Sequence, residues 1–156
     1  MQLLKNAAKF TSETGDLKNI YTTFIRPVLE QSAPVWHSRL TAENTKDLER
    51  IQKAAVRLIM GRRHVNYKTS LLKLNLQELP ERRETLCVNF AKRTIQNKKM
   101  RHMFPHRKEL RSAKRRHTEL YHVKNAKTER LKNSAIPYMQ NLLNKENNQQ
   151  RLDESY

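Results

Sequence analysis

Only two glycines, Gly15 and Gly61, occur among the 156 residues. Tight hairpin turns need residues with positive φ, which glycine adopts without steric cost, so this chain is poorly equipped for a hairpin-rich β fold. Its apolar pattern supplies the alternative. Leu48, Ile51, Ala55, Leu58 and Ile59 recur at helical spacing, with Glu49, Arg50, Lys53 and Arg57 mostly off that stripe. Thr41 can cap the start of this helix through its side-chain oxygen, and Gly61 can end it in a left-handed conformation. An earlier helix is expected over 17–31, burying Ile20, Phe24 and Leu29 and kinked at Arg26-Pro27. Residues 32–40 form the corner that carries Trp36, the single tryptophan. A short helix around 69–74 precedes a long one that starts at Pro80, whose missing amide costs nothing in a first turn. That helix reads to about Asn97, with Leu86, Cys87, Phe90, Ala91 and Ile95 as its stripe.

The expected fold is all-α, a small irregular helical bundle with a basic, partly disordered C-terminal segment. Trp36, Leu48, Ile51, Leu58, Leu86 and Phe90 are its expected core anchors. A chain of this length has room for one domain with a modest core. Within it, residues 1–15 read as a poorly determined lead-in and 16–97 as the helical core. Residues 98–127 read as a basic nucleic-acid-binding segment, thin in aliphatic side chains and loop-like or folded only on a ligand. Residues 128–144 read as a short helical element broken at Pro137. Residues 145–156, with Asn147-Asn148-Gln149-Gln150, have the composition of a disordered tail.

The formal net charge is +17, and residues 92–132 hold 15 basic against 3 acidic side chains, +12 of that total. A field so concentrated attracts polyanions, because each neutralised phosphate releases counterions. Arg107, Lys108, Arg111, Lys114, Arg115 and Arg116 form the densest group, continued by Lys124 and Lys127. Lys98, Lys99 and Arg101 lie just before it, and Arg62-Arg63 offer a second contact. Phe104 and Tyr121 are the nearby aromatics, available either to stack on unpaired bases or to pack. The bland alternative is a solvated basic face, and a nuclear-import signal is compatible with either. A membrane surface fits less well, since the basic stretch has no clear apolar face.

Other chemistry is thin. Cys87 lies among Leu86, Val88 and Phe90 and reads as a small core residue on a helix, with no activating motif around it. Of six histidines, His102 and His106 are four apart but separated by Pro105, and His117 and His122 lack partners at structural-zinc spacing. No metal or cofactor is expected. No apolar run approaches the roughly 20 residues that span a bilayer, and no secretory signal opens the chain, so an intracellular place, nuclear or cytoplasmic, is expected.

Three blocks in order carry a family resemblance. The first is Ile25-Arg26-Pro27-Val28-Leu29-Glu30, then Pro34-Val35-Trp36, then Leu48-Glu49-Arg50-Ile51-Gln52-Lys53. The second joins Leu71-Leu72-Lys73-Leu74 to Pro80-Glu81-Arg82-Arg83-Glu84-Thr85-Leu86-Cys87 and Phe90-Ala91-Lys92. The third runs Thr128-Glu129-Arg130-Leu131-Lys132-Asn133-Ser134-Ala135-Ile136-Pro137-Tyr138 and closes with Asn141-Leu142-Leu143-Asn144. From about residue 20 to 144 the chain resembles the thumb and following region of reverse transcriptases from non-LTR (LINE-type) retrotransposons. The resemblance implies a thumb-like helical core that grips RNA or DNA through its phosphate backbone. It also implies the family's polymerase domains as partners. Polymerase chemistry needs clustered carboxylates around two metal ions. The aspartates here, Asp16, Asp47 and Asp153, are isolated, so the chain is expected to be a partial copy without enzymatic activity. The zinc knuckle of some family members is missing too. Two alternatives stand beside this reading: a helical protein-interaction adaptor derived from such an element, and a genomic relic without selected function.

Overall fold

Helices carry the whole architecture of the computed structural model, which describes residues 1–106, 119–123 and 125–153, and the expected all-α class is correct. The chain forms two compact units rather than one core. Residues 1–32 and 40–83 make the first, residues 33–39 and 84–156 the second.

The first unit starts with α1 (Gln2–Phe10), within the lead-in that the sequence leaves poorly determined. Leu4 is fully buried in the unit's core and Ala7 packs beside it, so one helical turn of apolar residues suffices to dock the segment. The helix expected over 17–31 divides into α2 (Thr14–Ile20), a π-turn (Tyr21–Ile25) and α3 (Arg26–Glu30). Pro27 cannot donate to the carbonyl four residues back, and its ring crowds that carbonyl. The wider π-turn, in which the Arg26 amide bonds the Tyr21 carbonyl, relieves both problems. The buried pair is consequently Leu17 and Tyr21, while Phe24 is 61% exposed.

Helix α5 (Ala42–Met60) is capped as expected: the Thr41 hydroxyl accepts from the Asn44 amide at 3.1 Å, and Gly61 closes the helix at φ +50°. Its buried face is turned by one residue from the apolar stripe. Glu49, Gln52, Ala55, Val56, Ile59 and Met60 are buried, whereas the expected anchors Leu48, Ile51 and Leu58 are only half-buried. A polar hub causes the rotation. The Tyr21 hydroxyl donates to Gln52 Oε1 (2.6 Å), while Gln52 Nε2 donates to the Gln77 carbonyl (2.9 Å) and to the Tyr67 hydroxyl (3.0 Å). Tyr67 in turn donates to Glu49, whose other oxygen accepts from the Leu79 amide at 3.2 Å. Burial pushes the hydroxyls of Tyr21 and Tyr67 well above their ordinary pKa, so both stay protonated donors.

Helix α6 (Tyr67–Leu74) adds Leu71 and Leu74 to this core, between the Asn66 cap and a left-handed Asn75. Each large apolar side chain so buried contributes about 1.5–3 kcal/mol before entropy is subtracted. Glu30 at the end of α3 accepts from Arg82 at 2.7 Å and lies 3.6 Å from Arg26.

Helix α7 (Leu79–Gln96), with Pro80 in its first turn, continues into the second unit. There Cys87 and Ala91 pack with Phe104, Met139 and Leu143, which supports the core reading of Cys87. Phe90, an expected anchor, is 41% exposed, and Trp36 and Leu86 are half-buried. Trp36 ends the short α4 (Ala33–Trp36) in this second unit, whereas Leu48, Ile51 and Leu58 belong to the first. The six therefore do not form one core.

After α8 (Glu129–Lys132), α9 runs from Ala135 through Asp153, so neither the break at Pro137 nor the disordered tail is seen over 145–153. Pro137 is the third residue of α9, where no intrahelical amide bond is required. The Asn/Gln-rich stretch simply extends a helix already fixed by Met139 and Leu143, and Lys92 bonds Glu146 at 2.7 Å.

Candidate nucleic-acid interface

The expected cations separate into three groups. Arg62 and Arg63 are exposed in a 3-10 turn (Gly61–Arg63) that follows α5 in the first unit. Lys98, Lys99, Arg101 and Lys127 are exposed in the second unit and pair with no carboxylate among the described residues. Arg107, Lys108, Arg111, Lys114, Arg115, Arg116 and Lys124 lie outside the described residues. Arg63 also lines a cavity of about 410 Å³ with Thr14, Met60, Lys73 and Leu74. That gathers two cations and a hydroxyl at one place. Lys73 lies outside the basic run at 92–132, so composition does not mark it.

What the fold fixes firmly is the base of the basic segment. Beyond a 3-10 turn (Arg101–Met103), Phe104 is 3% exposed and belongs to the second core. It is therefore not a stacking platform for bases. His106 forms an antiparallel bridge with Tyr121, and the His122 amide donates to the Pro105 carbonyl at 3.2 Å. Residues 105–106 and 121–122, which flank the stretch 107–118 in sequence, are thereby held side by side.

Helix α9 holds this base in place. Asn144 Oδ1 accepts from the Tyr121 amide at 2.8 Å, and Asn144 Nδ2 donates to the Tyr121 carbonyl at 3.0 Å. One turn earlier, Gln140 Nε2 donates to the Met103 carbonyl at 3.0 Å. Both amides are buried and satisfy backbone groups that have no helical partner. Tyr121 is half-buried against the same core, and burial raises its hydroxyl pKa against the opposing effect of Lys92. Its ring meets that of His106 edge-on, with centroids 6.0 Å apart.

Gln140 and Asn144 escaped the sequence reading, although a signal exists. They stand beside Met139 and Leu143 on a helical i, i+4 row, where a buried amide needs a specific partner. Asn144→Ala removes both bonds to Tyr121 and is expected to destabilise the second unit by about 1–3 kcal/mol. Urea unfolding measures the loss, and amide exchange at Tyr121 should quicken by more than exchange in α7. A loss below about 0.5 kcal/mol would mean that solvent replaces both bonds freely.

Among the described residues, no three His, Cys, Asp or Glu side chains are grouped to hold a metal ion. None of the described helices is long and apolar enough to cross a membrane. No family model, curated protein or solved structure matches the chain.

Proposed function

We propose that this chain corresponds to the thumb and following region of a non-LTR retrotransposon reverse transcriptase, and that it binds nucleic acid through phosphate contacts. The observation that carries the reading is the charge of residues 92–132, +12 of a total +17. The clamped base at His106 and Tyr121 supports it. That bridge joins the residues on either side of a stretch whose sequence holds Arg107, Lys108, Arg111, Lys114, Arg115 and Arg116. The three sequence blocks supply the family.

Lys and Arg contacts to phosphates carry little sequence information, so affinity should vary little among unrelated sequences of equal length. If about five phosphates on duplex DNA are neutralised, log affinity should fall against log salt with a slope near −4 to −5. Anisotropy titrations of labelled duplex and single-stranded RNA and DNA at four salt concentrations read this directly. A slope shallower than about −1 would reduce the cluster to a solvated face.

The reading also assigns the chain no polymerase chemistry, because its aspartates, Asp16, Asp47 and Asp153, lie far apart in the sequence. Purified protein given primer-template, nucleotides and magnesium should extend no primer. Extension that copurifies with the chain through stringent steps would overturn that assignment.

A further inference from the structure

The second unit carries a surface feature that phosphate binding does not use. A groove of about 730 Å³ has Val35, Pro105, Leu131, Ile136 and Pro137 in its lining. Val35 is 66% and Leu131 51% exposed, so the protein itself leaves this apolar surface in solvent. Arg39, His102 and His122 supply the charged and titratable part of the lining, and no carboxylate takes part.

We propose that this groove docks an acidic amphipathic peptide segment of a partner protein. Aliphatic side chains on one face of the segment would fill the groove, and its Asp and Glu side chains would meet Arg39. Two features favour peptide over nucleic acid at this place. The only aromatic rings of the lining are the small imidazoles of His102 and His122, and its branched and proline side chains give flat bases little to stack on. The apolar area that they expose is recovered best by aliphatic side chains, and nucleic acids offer little aliphatic surface. Charge decides among peptides: Arg39 repels a basic segment, whereas it attracts and orients an acidic one. This inference stands apart from the phosphate reading, since it uses different residues and a different chemistry.

The test is selection of a random 16-residue phage-displayed peptide library on the full chain at physiological salt, with excess unlabelled RNA present to occupy the basic segment. Enriched peptides should place aliphatic residues at i, i+3 or i+4, and i+7, with Asp or Glu between them. A synthetic peptide of the enriched sequence should lose at least tenfold in affinity on Val35→Asp, Leu131→Asp or Arg39→Glu. Val35, Leu131 and Arg39 are exposed, so these variants spare both cores, and their RNA affinity should be unchanged. Failure to enrich any family would overturn the proposal. So would enriched peptides of basic character, binding indifferent to all three substitutions, or displacement of the peptide by RNA.

Discussion

Gln52→Leu is expected to destabilise the first unit by about 3 kcal/mol, an effect far larger than one exposed polar residue would produce. The side chain is 1% exposed and sits between three partners. Leucine fills the same space but offers neither acceptor nor donor. The Tyr21 hydroxyl, itself fully buried, then loses its acceptor, and the Gln77 carbonyl loses a donor. Tyr67 keeps its bond to Glu49. Each stranded buried group costs about 1–3 kcal/mol, whereas removing both members of a pair can be close to neutral. Tyr21→Phe should therefore restore part of the loss in the Gln52→Leu background while destabilising the native protein. Urea unfolding of the four proteins gives the cycle. Losses that simply add would show that Tyr21 and Gln52 do not depend on each other.

This hub also explains what the sequence concealed. Periodicity weighs apolar against polar, so Leu48, Ile51 and Leu58 define a stripe, and Glu49 and Gln52 count against the face that is buried. A one-residue shift turns a helix by only about 100°, and the apolar positions Ala55 and Ile59 serve either phase. Sequence pattern cannot reveal that Gln52 has Tyr21 and Gln77 waiting for it, because those partners are 31 and 25 residues away. The signals that did read through are local. Thr41 with the Asn44 amide, Gly61 at positive φ and Pro80 in a first turn each depend on a few neighbouring residues. The same distinction governs the site. Its cations are visible as composition, whereas the Asn144 clamp depends on a helix 23 residues from Tyr121. Phe104 shows the converse: an aromatic inside a basic stretch suggests stacking on bases, yet Met139 and Leu143 from α9 bury it.

Alanine at Arg107, Lys108, Arg111, Lys114, Arg115 and Arg116 together is expected to give the largest change of all, in binding rather than stability. A salt slope near −4.5 accumulates roughly 10³–10⁴ in affinity between molar and physiological salt. Removing the cations that generate the slope should remove most of that gain, leaving a slope near −1 and comparable weak affinity for duplex and single strand. The variant keeps every residue of the two cores and both ends of the clamp at His106 and Tyr121. Helical content and unfolding midpoint should accordingly stay close to those of the native protein. Arg62→Ala with Arg63→Ala is the informative comparison, because those two side chains belong to the first unit and should change the slope by no more than about 2. Equal slopes for the native and sixfold-substituted proteins would move the interface away from 107–118. A larger effect from Arg62 and Arg63 would transfer it to the first unit, where Arg63, Lys73 and Thr14 share a cavity.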